Sequence, residues 1–218
     1  MLKTYIKEIS KVAKTGDARE ESYYKALATL LESFALSIKK AKTQVTILPQ
    51  KTEAGNPDFR VWDGRQHIAG YVEGKRPEEG NLDRIEESEQ LKRYRHAFAN
   101  LILTNLFEFR LYRDGRLIDK VSIARPFVAT ELKVAPPLEN EDRFLDLLNK
   151  FFTFSLPQKY TPKTLAKALA SRTHYLREQV LLELAGGNGD LTGFYQAFQQ
   201  HLIAGLTKKI SPICTPRL

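Results

Sequence analysis

The sequence predicts an α/β fold: a core running helix, three-strand meander, helix, strand and hairpin, followed by an all-helical extension at the C-terminus. Three observations predict it. Apolar residues recur every three or four positions as far as Ile38, then alternate with period two between Val45 and Val72. Helical spacing then returns ahead of an unbroken apolar run, Leu101-Ile102-Leu103-Thr104, of the kind buried on both faces of a sheet. Beyond Val134-Ala135-Pro136-Pro137 the strand signals cease and only helical patterns follow.

Each element has its own signature. Leu2, Tyr5, Ile6, Ile9, Val12 and Ala13 form the stripe of an amphipathic helix that Gly16 ends. Asp17 with Glu20 three positions later reads as a capping box, and Tyr24, Leu27, Leu30, Leu31, Phe34 and Ile38 give a second, longer helix. Val45 with Ile47, Phe59 with Val61, and Ile68 with Val72 mark three short antiparallel strands, separated by the turn chemistry of Ala54-Gly55-Asn56-Pro57 and Asp63-Gly64. Leu82, Ile85, Leu91, Tyr94 and Phe98 predict one crossover helix ending near Asn100, with Glu86, Glu87 and Glu89 on a solvated face. Phe107 to Tyr112 and Leu117 to Ile123 alternate around Asp114-Gly115 as a hairpin. Helical patterns over 144–152, 165–184 and 191–206 complete the extension. The chain thus divides into a core over 1–133, a helical extension over 134–210 and a tail over 211–218.

Composition narrows the function classes. The 218 residues, 42% of them hydrophobic, suffice for one sizeable core and an appendage. Thirty-four basic against 26 acidic residues give a net charge of +8, which favours a polyanionic partner. From Leu156 onward there are eight basic and three acidic side chains, so +5 of that charge sits in the helical appendage and the core is nearly balanced. The single cysteine, Cys214, excludes an internal disulfide framework and a Cys-rich zinc site, and points to a reducing cytosol. No apolar run of about 18 residues and no signal peptide is present, which argues against a membrane partner. His67, His96, His174 and His201 lack metal-ligand spacing, and the Gly186 to Gly189 stretch lacks the preceding strand and following lysine of a phosphate loop.

One constellation carries chemistry. Pro57-Asp58-Phe59 and Glu73-Gly74-Lys75 fall on consecutive predicted strands. A hairpin loop near Asp63 to Ile68 brings Asp58 opposite Glu73, and period two puts Glu73 and Lys75 on one face. Half-buried, unpaired carboxylates cost several kcal/mol at order of magnitude, and a divalent cation is the simplest compensation. Carboxylate oxygens suit Mg²⁺, with Mn²⁺ as a substitute, and Mg²⁺ keeps waters, one of which can serve as nucleophile. A lysine beside it can orient or deprotonate that water, or stabilise charge developing on phosphorus. Glu-x-Lys alone arises about once by chance in a chain this long, so the specificity lies in the Pro-Asp upstream and the strand context.

This arrangement resembles the PD-(D/E)xK nuclease superfamily, with Asp58, Glu73 and Lys75 in the signature positions. Gln90-Leu-Lys-Arg-Tyr94 is similar to the Gln-x-x-x-Tyr motif that RecB-like branches carry on the crossover helix. Together with Gly55-Asn-Pro-Asp-Phe59, Gly70-Tyr-Val-Glu-Gly-Lys-Arg-Pro77 and the segment from Asn100 to Phe109, it resembles the N-terminal nuclease region of single-chain restriction-modification enzymes, types ISP and IIG. The resemblance covers most of residues 17 to 125 and, more weakly, the helices to about Leu206. It implies a restriction-endonuclease-like core acting on double-stranded DNA in a prokaryotic cytoplasm.

The resemblance also implies roles. Asp58 and Glu73, with the Gly74 carbonyl, would ligate the metal. Lys75 would activate the water, Gln90 and Tyr94 would order the site, and an acid from the first core helix would complete the shell. Glu21 is the choice for that acid, with Glu20, which has a capping explanation, and Glu32 as rivals. Lys163, Lys167 and His174 share one basic helix face suited to DNA phosphates, while Trp62 reads as a packing residue. Relatives of this kind continue into methyltransferase and target-recognition modules, with a translocase in type ISP. The tail from Ser211 reads as a frameshifted remnant of the phrase those relatives carry, which makes the chain a truncated enzyme. A catalytically silent DNA-binding or docking fragment and a stand-alone RecB-like nuclease are the alternatives.

Overall fold

A computed structural model describes residues 1–155 apart from 65 and 66, and scattered positions between 165 and 197. The chain forms two compact units, Met1–Lys159 and Tyr160–Leu218. In the second, the described residues are helical except for a turn at Gly186 and Gly187, where Gly187 takes a φ of +77°.

In the first unit, helix α1 (Leu2–Ala13) is followed by a short 3₁₀ turn (Glu20–Tyr23) and helix α2 (Tyr24–Ser37). Strands β1 (Gln44–Ile47), β2 (Phe59–Trp62) and β3 (Ile68–Gly74) form an antiparallel meander. Helices α3 (Leu82–Glu86) and α4 (Glu89–Ala97) cross over to β4 (Asn100–Thr104), which therefore runs parallel to β3. Strand β5 (Glu108–Arg113) and strand β6 (Arg116–Ser122) close the sheet antiparallel, their hairpin turning on Asp114 and Gly115, both at positive φ. Helices α5 (Pro126–Thr130) and α6 (Glu141–Thr153) follow. The six strands lie in sequence order in one mixed sheet, so the predicted α/β class and its helix, meander, helix, strand, hairpin order hold.

Both faces of the sheet are covered. On one, α1, α2 and α6 bury Leu27, Leu31, Phe34, Phe144, Leu147 and Phe151 with Phe59, Val72 and Ile102 of the sheet. On the other, α3 and α4 bury Leu82, Leu91, Tyr94 and Phe98 against Leu101, Leu103 and Tyr112. Strand β4 is buried along its whole length, as its unbroken apolar run requires. Among the described residues no helix is long and apolar enough to cross a membrane.

Three local expectations change. Asp17 and Glu20 form no capping box: the Ser22 hydroxyl accepts from the Arg19 amide at 3.1 Å, and the tight turn this closes precedes α2. The crossover is two helices, because the Ser88 hydroxyl accepts the Leu91 amide at 3.3 Å and starts a new helix there. The compact unit also runs to Lys159 and does not end at 133, since α6, assigned to the extension, buries Phe144, Leu147, Leu148, Phe151 and Phe152. Gly70 shows how closely α6 sits on the sheet. A Cβ there would come to 2.5 Å from the Phe151 ring, and Asn100 Nδ2 donates to both Ala69 O and Phe151 O.

Candidate active site

Strand pairing assembles the site. Phe59 lies opposite Val72 and Arg60 opposite Tyr71, so Asp58, one step before β2, falls at the level of Glu73 on β3. Phe59 and Val72 point into the α2 and α6 side of the core, which turns their neighbours Asp58 and Glu73 to the crossover side. Asp58 is anchored by the backbone across the hairpin: its Oδ2 accepts the Gly74 amide at 2.8 Å.

Glu73 is 2% exposed. Its Oε1 accepts from Lys75 Nζ at 2.8 Å and from Gln90 Nε2 at 3.1 Å, whereas its Oε2 is buried with no hydrogen-bond partner. Burial, followed by the neighbouring Asp58 charge, pushes the Glu73 carboxyl up to about 7 despite the opposing Lys75. Burial works against the Lys75 ammonium, but Glu73, Glu20 and Asp58 outweigh it and hold the lysine more firmly charged than usual.

The structure settles where the three candidate acids lie. Glu21 is exposed and outside the cluster. Glu20 takes the place the sequence reading gave to Glu21: its Oε1 lies 3.5 Å from Lys75 Nζ and accepts the Tyr24 hydroxyl at 3.0 Å. Glu32 is used elsewhere, its Oε1 accepting the Val45 amide at 3.1 Å and so fixing the start of the meander. Glu20 opens the 3₁₀ turn and accepts from Tyr24, whereas the next residue of that turn, Glu21, faces solvent.

Gln90 and Tyr94 are both brought to the site. Gln90 Nε2 donates to Glu73 and lies 3.3 Å from the Tyr94 hydroxyl, and Tyr94 is buried. Tyr94 in turn backs the loop that leads to Asp58, where a Cβ on Gly55 would come to 3.2 Å from the Tyr94 ring. Gly55 also has a φ of +128°, which a side chain rarely tolerates. Arg93 Nε donates to Ala54 O at 2.6 Å, a second tie between that loop and α4.

Sequence reasoning missed a charged network behind α4. Arg110 on β5, buried, pairs with Glu108 at 2.6 Å, Glu86 at 2.8 Å and Asp83 at 2.6 Å. Arg95 joins it by pairing with Glu86 at 3.0 Å and lying over the Tyr112 ring. Glu86 is therefore no part of a solvated face, unlike Glu87 and Glu89, which stay exposed near Lys92. An alternation reading can flag Arg110 as polar within β5, but its partners come from a different element.

The donors present suit a hard cation. Among the described residues no group of three or more His, Cys, Asp or Glu side chains is arranged to hold a metal. What is present is a pair of carboxylates, one with an orphaned buried oxygen, and Mg²⁺ is commonly held by one or two carboxylates with water in its remaining positions. Lys163, Lys167, His174 and the tail over 211–218 lie outside the described residues.

No known family profile matches the chain, and no curated protein does. Among solved structures it is similar to a chain of a cryoEM structure described as a DrdV–DNA complex, with 23% identity and a TM-score of 0.49 over 72% of this chain. The match spans 14% of that chain's length.

Proposed function

We propose that the chain is a Mg²⁺-dependent endodeoxyribonuclease domain of the PD-(D/E)xK type, acting on double-stranded DNA as the nuclease part of a restriction-modification enzyme. The observation that carries the reading is Glu73 Oε2, a buried carboxylate oxygen without a partner beside Asp58, whose opposite oxygen is already taken by Lys75 and Gln90. A carboxylate buried in this way costs stability unless a cation joins it, and selection for function is the natural reason to keep it. The residues around it match the signature read in the sequence, with Glu20 in place of Glu21.

Asp58 and Glu73, with the Gly74 carbonyl, would hold the cation, which when bound supplies Lewis acidity toward a phosphoryl oxygen and a nucleophilic water. Asp58 is kept in position by the Gly74 amide. Lys75, charged and 2.8 Å from Glu73, is placed to steady the negative charge that builds on phosphorus during in-line attack, and releasing its proton would let it activate the water. Gln90 fixes the Glu73 rotamer through Oε1, and Tyr94 fixes Gln90. Glu20 and Tyr24 close the far side of the lysine. The parent enzyme's methyltransferase and target-recognition modules, and the prokaryotic cytoplasm, belong to the same proposal.

Binding of the cation is testable without cleavage. Millimolar Mg²⁺ is expected to raise the melting temperature of the wild-type protein, by mass action on the folded state alone, and to leave that of Glu73→Gln unmoved. An equal rise in both proteins places the cation elsewhere and contradicts the assignment.

A further inference from the structure

We propose that Arg60 contacts the DNA backbone next to the scissile phosphate, its guanidinium held ready between the rings of Trp62 and Tyr71. The inference rests on the nuclease reading above and adds a binding residue that the nuclease signature does not include. Arg60 lies two residues beyond Asp58 on β2, and its partner across the ladder, Tyr71, lies two residues before Glu73 on β3. The pair is therefore on the same sheet face as the two carboxylates, about 7 Å along the strands, a separation comparable to that of successive phosphates in a DNA strand.

The guanidinium is clamped but not neutralised. Its carbon lies 5.7 Å from the Trp62 ring centroid and 5.9 Å from that of Tyr71. Trp62 is fixed by its Nε1 donating to Thr46 Oγ1 at 3.2 Å, and Tyr71 by stacking on Phe98 at 3.9 Å. One terminal nitrogen donates to Gln50 O at 3.1 Å, while Nε is buried without a partner. No described carboxylate pairs with Arg60, in contrast to Arg95 and Arg110, which both meet Glu86.

A packing role accounts poorly for this. Leaving Nε desolvated and unsatisfied costs about 1–3 kcal/mol, and cation–π contact returns roughly 0.5–1 kcal/mol per ring at partly exposed sites. A methionine would fill the same space without that cost. What a guanidinium without a carboxylate partner fits is an anion such as a phosphodiester. The carboxylates repel DNA on this face, so a cation one step away also offsets their field.

The test is anisotropy of a short labelled duplex with the full chain, without divalent cations, over a series of KCl concentrations. Arg60→Gln and Arg60→Met, the latter keeping an unbranched stem between the rings, are expected to bind about tenfold more weakly at low salt. Their plots of log affinity against log salt should lose about one unit of slope, as for one lost phosphate contact. Lys7→Gln, on an exposed position of α1 outside the site, should match wild type. Wild-type affinity and slope in either Arg60 variant, or no duplex binding by wild type, overturns the proposal. A wild-type protein that binds with the full slope yet cuts nothing in Mg²⁺ defeats the nuclease reading and leaves the Arg60 comparison standing.

Discussion

Replacing Glu73 with glutamine is expected to remove cleavage, by roughly 10²–10³-fold or more, and at the same time to stabilise the metal-free protein. The first effect follows from losing a charged ligand of the proposed cation. The second follows from burial: the Glu73 carboxyl titrates at about 7 in the folded chain, against an ordinary glutamate value near 4.5. Because the folded state binds the proton more tightly, stability falls as pH rises between those two values. Below the lower value the cost is absent, and above the upper value it is complete. At pH 8 it amounts to about 3 kcal/mol. Glutamine keeps an acceptor for Lys75 and Gln90, turns a donor toward Asp58 and carries no charge. Urea unfolding of the two proteins at pH 5 and pH 8, in chelator, checks this. The gain should be large at pH 8 and small at pH 5, and a gain that is equal at both, or absent, contradicts the account.

Arg110→Ala is expected to be the most destabilising single change away from the core aromatics, by about 3–5 kcal/mol. Removing the arginine leaves Glu86 with Arg95 alone and Glu108 with only Lys120 at 3.9 Å, both acids being mostly shielded from water. The consequence reaches the site through Arg95, which ties Glu86 to α4, the helix that carries Gln90 and Tyr94. Arg110→Met, of similar length, should lose less than Arg110→Ala if packing of the stem contributes, and more than a surface substitution because both acids lose their nearest partner. Chemical denaturation of the two variants measures the difference. A cost below about 1 kcal/mol for Arg110→Ala would mean that the network contributes no more than exposed ion pairs do.

The fold was legible wherever a single periodicity governed a segment. The alternation around Phe59, Val61 and Val72, and the continuous run at Leu101 to Leu103, are direct consequences of burial on one face and on two. The convergence of the candidate side chains was legible where they lie in short sequence spans: Asp58, Glu73 and Lys75 share one hairpin, and Gln90 and Tyr94 are one helical turn apart. Glu21 stands at the expected place ahead of the apolar series, but a 3₁₀ turn there decides which side chain faces the site. That turn brings Glu20 to Tyr24 and toward Lys75. The boundary at 134 followed the end of the strand signals, but a sheet with an uncovered apolar face recruits the next amphipathic helix. Phe144, Leu147 and Phe151 provide it, and Gly70 makes room for it. The Arg110 network and the Arg60 clamp were beyond the sequence for a common reason, since each depends on which strands lie side by side.

The central claim is that Asp58 and Glu73 are the centre of a metal-dependent nuclease. The direct measurement is cleavage of duplex DNA by wild type and by Asp58→Ala, in Mg²⁺ and in chelator, with both proteins shown to be folded. Wild type is expected to cut in Mg²⁺ and not in chelator, and Asp58→Ala in neither; equal cutting by the two proteins, or none by wild type, would overturn the assignment.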